Sequence, residues 1–535
     1  MAQTVYFGGP ILTMEEPLYA QALVEKDGVI LYVGDRETAL ELAGPQARKV
    51  DLEGRTLMPA FLDPHSHFMA CANAMLQVQL GECADQEEIC ARLSDFVKRE
   101  KLQSGEWVRG TGYDQNELAQ GCPPDRWMLD RACPDHPVVI QHASGHVGVF
   151  NSRALELLGV DENTTCPPGG VMEKDDQGRL TGYMEENAFL GLLQKVPMPD
   201  LEDLMDALVR AQDQYASFGI ATVQEGMFMD EMLPLYQVML ERKLLKVDVV
   251  AYADPRNCEK IMAQFHDRVG CYKDHVKIGG DKIFLDGSPQ GRTAWMRQPY
   301  EGESDYRGYP ALTGEQVYER LKSASERGVQ ILAHCNGDGA AEQYLSVMER
   351  LEQETGRRLR RPVMIHAQLV GRDQLPRLKA LGMIPSFFVA HVYHWGEVHV
   401  KNFGLERAEH ISPAGIAYAL GIPFTFHQDA PVIQPNMLET IWCAVNRRTK
   451  TGRVLGEGEK ISTLEALKAV TRYAAYQYFE EDRKGSLAAG KAADFVILGQ
   501  DPLTTDPMEL RNIPVLETIK DGRTIWLFGR KDENT

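Results

Sequence analysis

The sequence has little positive charge for its size. Its 535 residues include 57 lysines and arginines against 77 aspartates and glutamates, so the formal net charge is −20. Binding to nucleic acid or to an anionic membrane requires a basic face that displaces counterions or meets lipid phosphate. The composition therefore argues against both of these partners.

Long apolar runs and paired cysteines are also missing. No stretch approaches the roughly 18 consecutive apolar residues of a membrane span. The first residues, MAQTVYFGGPILTM, lack the basic stretch and apolar core of a secretory signal. The ten cysteines have no paired spacing, which favours reduced thiols over a disulfide framework. We therefore expect a cytoplasmic protein.

No internal repeat, low-complexity segment or G-x-G-x-x-G after an early strand is present, so a dinucleotide-binding half has no support. Both ends of the chain have the pattern of β structure. Asp27-Gly28 and Asp521-Gly522 each stand between two apolar alternating runs, which is a strong hairpin signal. Since chain termini often lie close together, the two ends can pair into one small sheet domain.

The middle of the chain alternates short strand-like runs with longer helical patterns, which predicts a parallel sheet with crossover helices. The runs are VVIQHA, VKIGGDKIFLD, VQILAHC, RPVMIHAQLV and GIPFTFHQD, and the helical patterns include GEQVYERLKSASERG, DGAAEQYLSVMERLEQE and TLEALKAVTRYAAYQYF. A closed (β/α)8 barrel and an open doubly wound sheet both fit this alternation. The span from about residue 73 to 213 is too long for one connection and predicts an inserted subdomain.

The segment MPAFLDPHSHF places His65 and His67 two residues apart after a short apolar run. Side chains at positions i and i+2 of an extended strand point to the same face, so the two imidazoles can form half of a metal site. Taken alone, the H-x-H pattern fits a metal site and an unliganded pair equally well.

Three further polar residues follow apolar strand-like runs. His334 ends VQILAH, His366 ends RPVMIH and Asp429 follows GIPFTFHQ. Barrel enzymes place their chemistry at the C-terminal ends of the strands, so the four histidines and the aspartate are expected to meet there.

Lys282, in GGDKIFLDGS, is a further candidate, because the carbamate that a lysine forms with CO2 is an anionic donor that can bridge two cations. Lys277 lies five positions earlier and therefore on the opposite strand face. Only one of the two lysines can point into the site, and spacing alone does not choose between them.

The ordered set of segments resembles the amidohydrolase superfamily, and within it the YtcJ-like metal-dependent amidohydrolases, a branch that includes the N-substituted formamide deformylases. The resemblance covers essentially the whole chain. The segments that carry it are LMPAFLDPHSHF, GTGYDQNEL, HASGHVGVFNSRALELLGV, GGDKIFLDGSPQGRTA, AHCNGDGAAE, IHAQLV, HVYHWGE, FHQDAPV and GSLAAGKAADFVIL. The chain departs from its relatives at His427 and Gln428, where small residues are common, and His427 could approach the metals or narrow the pocket.

The resemblance implies an α/β fold: a (β/α)8 TIM-like barrel, a small β-sandwich domain formed from both chain ends, and an inserted subdomain. We accordingly expect residues 1–57 and 481–535 to form the small β domain. Residues 58–480 would form the metal-dependent hydrolase barrel, with the insertion at about 73–213.

The resemblance also implies a metal centre and places Lys282, not Lys277, in it; the ligands would be His65, His67, Lys282, His334, His366 and Asp429. If Lys282 is carboxylated by CO2 the centre holds two divalent metals, and otherwise it holds one; zinc is the metal usually associated with the family. A metal-activated hydroxide would attack the carbonyl carbon of a small amide, with Asp429 as proton shuttle. The resemblance thus implies a hydrolase acting on carbon–nitrogen bonds other than peptide bonds (EC 3.5.-.-).

Other side chains are weaker candidates. His391, Trp395, Tyr113 and His146 are expected to contact substrate or to pack. With His394 and His399, His391 forms H-x₂-H-x₄-H, which we reject as a second metal site because the sequence offers no acidic partner nearby. Asp286, Ser288 and Arg292 are expected to shape the loop after Lys282. A Cys335–His334 nucleophile pair is disfavoured, because adjacent strand residues face opposite ways.

Two alternatives stay open. A single-metal deaminase of a small heterocycle would use an acidic residue shortly after His334, and Asp338 is available. A non-catalytic scaffold with the same fold would have lost ligands, whereas all six are present. A homodimer is the expected assembly, from base rates for soluble enzymes.

Overall fold

The computed structural model describes residues 3–115, 117–142, 146–197 and 199–529. Its strands are β1 Thr4–Leu12, β2 Tyr19–Lys26, β3 Val29–Gly34, β4 Arg48–Asp51, β5 Thr56–Pro59, β6 Phe61–Leu62, β7 Val78–Gln79, β8 Val108–Tyr113, β9 Val138–His142, β10 Val147–Phe150, β11 Gly170–Lys174, β12 Leu180–Glu185, β13 Ile220–Phe228, β14 Asp248–Ala253, β15 Val276–Phe284, β16 Gln330–Cys335, β17 Val363–His366, β18 Ile384–Phe387, β19 Thr425–Phe426, β20 Phe495–Leu498, β21 Val515–Lys520 and β22 Arg523–Leu527.

The helices are α1 Arg36–Ala43, α2 Phe68–Met75, α3 Gln86–Arg99, α4 Arg126–Ala132, α5 Ser152–Leu158, α6 Glu186–Leu193, α7 Leu201–Ser217, α8 Leu233–Glu241, α9 Cys258–Gln264, α10 Gly314–Arg327, α11 Asp338–Thr355, α12 Leu375–Ala380, α13 His391–Ala408, α14 Ala414–Ala419, α15 Met437–Asn446, α16 Thr463–Ala469 and α17 Arg472–Gln477. Short 3₁₀ turns lie at Asp230–Met232, His266–Arg268, Glu457–Glu459 and Pro507–Asn512. None of the described helices combines the length and apolarity needed to cross a bilayer.

The chain divides into two compact units, Met1–Met69 with Ala211–Thr535 and Ala70–Arg210. In the first unit, strands from both chain ends form one sheet in the order β22-β21-β20-β5-β1-β2-β3, with β4 paired to β1. Antiparallel pairing of β20 with β5 joins the two ends. Buried apolar side chains from both ends pack together on this sheet, among them Tyr6, Leu57, Phe495 and Ile519.

Both Asp-Gly hairpins are confirmed. Asp27 and Gly28 have φ values of 52° and 81°, and Asp521 and Gly522 have φ values of 50° and 71°. Two successive residues with positive φ form the turn type whose twist matches that of paired strands, and Asp-Gly tolerates this conformation. Strands β2 and β3 accordingly form an antiparallel pair with a two-residue loop, and so do strands β21 and β22.

The second sheet of the first unit is parallel, and its eight strands follow chain order: β6, β13, β14, β15, β16, β17, β18 and β19. Helices α8 to α14 lie in the connections between β13 and β19. The predicted parallel α/β architecture is confirmed. The segment TLEALKAVTRYAAYQYF, predicted as one helix, forms the two helices α16 and α17. The backbone leaves the helical region at Thr471, whose hydroxyl donates to the Leu467 carbonyl at 2.7 Å.

The unit Ala70–Arg210 contains a six-stranded mixed sheet in the order β11-β12-β10-β9-β8-β7. The expectation that VVIQHA belongs to the parallel sheet is wrong, because this run is β9, and Val138, Val139 and Ile140 are buried within this second unit. A short apolar run predicts a buried strand, but it does not predict to which sheet the strand belongs.

Candidate metal centre

All six side chains of the expected ligand set belong to the same unit and lie at one edge of the parallel sheet. His65 and His67 follow β6, Lys282 lies near the end of β15, His334 near the end of β16 and His366 at the end of β17; Asp429 follows β19. Because the strands are parallel, their C-terminal ends meet at the same edge. The topology therefore collects residues that are up to 364 positions apart in the sequence (429 − 65).

Asp429 is surrounded by imidazoles. Its Oδ1 lies 3.3 Å from His65 Nε2 and 3.4 Å from His67 Nε2, and its Oδ2 lies 3.9 Å from His366 Nε2. The donor atoms of His65, His366 and Asp429 all lie within 4.8 Å of one another. Oδ1 is buried and makes no well-formed hydrogen bond to any described residue. Nitrogen and oxygen donors that converge without bonding one another fit a divalent cation such as zinc.

Two further donors extend this cluster. Lys282 Nζ lies 3.2 Å from His65 Nε2, and His334 Nδ1 lies 3.1 Å from His366 Nε2. Each of the six side chains therefore has a nitrogen or oxygen atom within 4 Å of such an atom of another member of the set. Lys282 thus lies next to His65, and its charge also acts on His334.

The backbone at two of these positions is held in a costly conformation. His366, Ala367 and Asp429 have φ values of 71°, 45° and 56°. Residues with a Cβ pay roughly 1–2 kcal/mol in this left-handed region. Strain of this kind persists where the surrounding structure fixes it, which is common at functional sites.

Neighbouring groups fix the orientation of the His65 ring. Its Nδ1 lies 2.6 Å from Gln224 Oε1, while Gln224 Nε2 donates to the Pro64 carbonyl at 2.7 Å. Since the amide nitrogen of Gln224 is committed as a donor, its oxygen accepts from His65 Nδ1. The lone pair of His65 is thereby on Nε2, the nitrogen that faces Asp429.

His334 is oriented in the same manner but with the opposite nitrogen. Its Nε2 lies 3.3 Å from the Gly287 carbonyl, which can only accept. Asn336 Nδ2 donates to the same carbonyl at 2.9 Å and lies 3.0 Å from His334 Nε2. These contacts hold the ring so that Nδ1 of His334 faces His366 and the rest of the cluster.

Burial sets the protonation states of the site. Desolvation, together with the charge of Lys282, lowers the pKa of His65 to about 4 and that of His334 to about 3. Burial alone would raise the pKa of Asp429, but the neighbouring His65 and His67 outweigh it and hold that pKa well below its usual range. At neutral pH His65 and His334 are therefore neutral and Asp429 is ionised, the forms that bind metals.

The structure separates the two lysines of β15. Lys282 is fully buried at the cluster, and desolvation lowers its pKa to about 7 against the opposing effect of Asp429. Lys277 points elsewhere: its ammonium donates to the Tyr478 carbonyl at 2.9 Å and pairs with Glu480. Of the two, only Lys282 lies beside the histidines.

The histidines of α13 do not form a second centre. His391 Nδ1 and His399 Nε2 bond each other at 3.0 Å, and His394 Nε2 turns to Glu439 Oε1 at 3.0 Å. The expectation that no acidic residue lies near this set is wrong for His394, because α15 brings Glu439 to it from a distant part of the sequence. Among the described residues, no other group of three histidine, cysteine or acidic side chains converges as His65, His366 and Asp429 do.

His391 and Trp395 lie near the cluster. The centroid of the His391 ring lies 4.5 Å from that of Trp395 and 4.4 Å from that of Phe388. The ring centroids of Phe388 and His366 are 6.2 Å apart. Tyr113 and His146 belong to the second unit: Tyr113 is buried against His142, with ring centroids 5.4 Å apart, and His146 Nδ1 lies 3.1 Å from Glu186 Oε2. A substrate-binding role for these four residues stays a prediction.

The loop residues after β15 behave as expected. Asp286 accepts hydrogen bonds from the backbone N–H groups of Trp295, Asn336 and Gly337 at 2.7–3.0 Å. Arg292 donates to Glu303 at 2.8 Å, and the Ser288 N–H donates to Thr293 Oγ1 at 2.9 Å. Burial raises the pKa of the Cys335 thiol well above its usual range, so this cysteine is no activated nucleophile.

Asp338 does not face the cluster as a catalytic acid. Its Oδ1 accepts from the Arg297 N–H at 2.8 Å and its Oδ2 from Arg297 Nε at 3.0 Å. The carboxylate that the deaminase alternative needs is therefore engaged in a structural ion pair.

Sequence reasoning missed several polar residues that contact the proposed ligands or lie next to them, namely Gln224, Glu225, Asn336 and Ser386. The strand IATVQEGMF carries a usable signal, since Gln224 and Glu225 interrupt a mostly apolar, almost fully buried run. Glu225 accepts from the Met69 N–H at 2.8 Å and from the Tyr236 hydroxyl at 3.3 Å, and burial raises its pKa to about 7.

Comparison with known proteins agrees with this geometry. A family model described as the amidohydrolase family matches residues 48–526. The chain is 27% identical to YtcJ of Bacillus subtilis (strain 168), which is named an amidohydrolase, with 98% of this chain and 99% of that protein covered. It is 26% identical to the N-substituted formamide deformylase of Arthrobacter pascens, with 94% of each chain covered. An uncharacterised metal-dependent hydrolase of Pyrococcus horikoshii OT3 has a similar structure, with a TM-score of 0.76 and 28% identity over 95% of this chain and 99% of that chain.

Fold, site and comparisons together define the class as metal-dependent hydrolases, and the chain belongs to the amidohydrolase family. Within that family it resembles the YtcJ-like branch that includes the N-substituted formamide deformylases, so the resemblance seen in the sequence is confirmed.

Proposed function

We propose that the protein hydrolyses an amide-type C–N bond of a small molecule at a divalent metal centre. The observation that carries the proposal is the convergence of four histidines, one aspartate and one buried lysine at the C-terminal edge of the parallel sheet. The formamide deformylase of Arthrobacter pascens, similar over nearly its whole length, makes an N-substituted formamide the first substrate class to test.

We propose His65, His67, Lys282, His334, His366 and Asp429 as the ligands, and zinc as the metal. The nitrogen and oxygen donors suit zinc, although other divalent ions bind such sets and affinity alone does not decide occupancy in a cell. A divalent ion bound there supplies Lewis acidity toward an amide carbonyl and lowers the pKa of a water toward neutrality.

Lys282 enters this set as its carbamate. A protonated amine cannot react with CO2, and burial lowers the pKa of Lys282 to about 7, so much of it is the free amine at neutral pH. An uncharged Lys282 also removes the repulsion between an ammonium and any cation held by His65, whose Nε2 is 3.2 Å away. A carbamate at this position would bridge two ions, which makes a centre of two metals our preferred form.

Asp429 moves the proton. Oδ1 lies 3.3 Å from His65 Nε2 and 3.4 Å from His67 Nε2, whereas Oδ2 lies 3.9 Å from His366 Nε2. We assign to Oδ2 the proton that the attacking water loses, and its later transfer to the departing amine nitrogen. Water and amide thus yield carboxylic acid and amine with no further reactant.

We further propose that the eight-stranded parallel sheet closes as a (β/α)8 barrel. The His67 N–H donates to the Ala430 carbonyl at 2.9 Å, which joins the segment after the first strand to the segment after the last. Closure would enclose the cluster at one mouth of the barrel, as in other enzymes of this architecture.

Metal content tests the function directly. We expect wild-type protein, purified without chelators and with bicarbonate present, to hold about two divalent ions per chain, and Lys282→Ala to hold one or none. Lys277→Met, which removes the other buried lysine of β15, is the matched control and keeps the wild-type content. One ion in both wild type and Lys282→Ala would exclude Lys282 as a ligand, and no metal under any loading condition would overturn the hydrolase mechanism.

A further inference from the structure

His427 is a buried histidine two residues before Asp429, and none of its surface is exposed to solvent. It lies among three aromatic rings: the centroid of the His427 ring is 5.1 Å from that of His366, 5.2 Å from that of His65 and 5.4 Å from that of Phe388. Burying a histidine is costly unless its polar atoms have partners.

Both nitrogens of His427 have partners. Its Nε2 lies 3.1 Å from His366 Nδ1, and its Nδ1 lies 2.8 Å from Ser386 Oγ. Neither nitrogen is left for a metal or a substrate. His427 is therefore not placed as a metal ligand.

The contact with His366 is on the nitrogen that faces away from the cluster. His366 Nε2 faces Asp429 and His334, at 3.9 Å and 3.1 Å, so Nε2 must carry the lone pair in a ligand. The proton then lies on Nδ1, which donates to His427 Nε2. His427 in turn carries its proton on Nδ1 and donates to the Ser386 hydroxyl oxygen.

We propose that His427 and Ser386 are positioning residues that fix the tautomer and ring orientation of His366. Gln224 performs this task for His65. A partner of this kind raises the basicity of a metal-ligating histidine, and its loss typically weakens metal affinity by about 10–100-fold. The inference rests on the proposed function, because it takes His366 as a ligand.

The experiment measures the affinity of each variant for Co²⁺ and Zn²⁺ by chelator competition, together with the visible absorption spectrum of the Co²⁺ form. His427→Leu removes the acceptor with little change in volume, and we expect its dissociation constants to rise about 10–100-fold. His427→Gln keeps an oxygen that can accept from His366 Nδ1, so we expect affinity near that of the wild type. Ser386→Ala should fall between the two, because His427 loses its acceptor but keeps its place.

His136→Leu is the control for removal of a buried histidine, since His136 bonds the Glu106 carbonyl at 3.0 Å in the other unit and should leave metal affinity unchanged. Affinities of His427→Leu within threefold of wild type would overturn the inference, as would equal losses in His427→Leu and His427→Gln, which would indicate packing alone. If His427→Leu fails to fold, the comparison of Ser386→Ala with His427→Gln decides in the same way. Failure of the wild type to bind metal would instead overturn the proposed function itself.

Discussion

At the scale of single residues, the centre places two ionisable groups in opposite electrostatic environments. Burial lowers the pKa of Lys282 to about 7, while the imidazoles of His65 and His67 hold that of Asp429 well below its usual range. Groups whose environments push them to different protonation states at one pH can act as different partners in proton chemistry. In the proposed mechanism, Asp429 would then act as a base and Lys282 as a nucleophile toward CO2.

Replacement of Asp429 by Asn removes the proton acceptor while it keeps the side-chain shape. We expect kcat for an N-substituted formamide to fall by about 10²–10⁴-fold, the usual contribution of a positioned acid–base group. Asp338→Asn is the matched control, because Asp338 bonds only Arg297 among the contacts described above and should retain activity. A loss confined to Asp338→Asn would instead support a deaminase.

The depressed histidine pKa values predict the acid limit of metal binding. A histidine whose pKa is about 4 stays neutral above that pH and becomes protonated below it, so His65 remains a competent donor from pH 8 down to about pH 5. We expect at least one ion per chain to stay bound over this range and to be lost as the pH approaches 4. Loss of all bound metal near pH 6.5, the ordinary pKa of histidine, would contradict this expectation.

At the scale of elements, Asp286 joins the loop after β15 to the start of α11. Its carboxylate accepts from the N–H groups of Asn336 and Gly337, the residues directly before the first turn of α11, and Asn336 also lies beside His334. A negative group at this end also interacts favourably with the helix dipole. One carboxylate thus supports both a helix and a ligand.

We expect Asp286→Ala to destabilise the first unit by about 1–3 kcal/mol per buried N–H group that is left without a partner. Asp286→Asn keeps one acceptor oxygen and should be less harmful. Thermal unfolding in the absence of metal checks this expectation: the melting temperature should be highest for the wild type, lower for Asp286→Asn and lowest for Asp286→Ala. Equal melting temperatures would show that the carboxylate does not stabilise the first unit.

The elements also explain what sequence could and could not predict. His65, His334, His366 and Asp429 were found because each follows an apolar strand, and the C-terminal ends of parallel strands meet. The partner of each ring was not found, since Ser386 reaches His427 from another strand and Glu439 reaches His394 from another helix. Hydrogen bonds between distant segments leave no periodic signal in a single sequence.

At the scale of the whole first unit, a buried charge cluster connects the terminal sheet to the parallel sheet. Asp248 on β14 pairs with Lys484 and lies 3.2 Å from Lys520 on β21, while Lys484 also lies 3.1 Å from Glu480. All four side chains are buried. The segment 484–520 at one end of the chain is therefore anchored to the sheet that carries the metal centre.

Asp248→Asn would leave two buried ammonium groups without their shared carboxylate. Removal of one partner from a buried ion pair typically costs about 3–5 kcal/mol, so we expect a clear fall in the urea midpoint at pH 7 with an unchanged m-value. Glu315→Gln removes one member of the exposed Arg350–Glu315 pair, whose side chains are 41% and 63% exposed, and should cost less than about 1 kcal/mol.

The pH dependence of stability shows whether Asp248→Asn acts through the lost charge or through altered packing. Burial would raise the pKa of Asp248, but Lys484 and Lys520 outweigh it and hold that pKa well below its usual range. The folded state thus binds fewer protons than the unfolded chain, so the stabilisation is complete above about pH 4 and is lost as the pH falls below it. The difference in stability between wild type and Asp248→Asn should therefore be constant from pH 8 to 5 and should narrow below pH 4. A difference that persists unchanged at pH 3 would mean that Asp248 holds the two sheets together through packing, and that its charge contributes nothing.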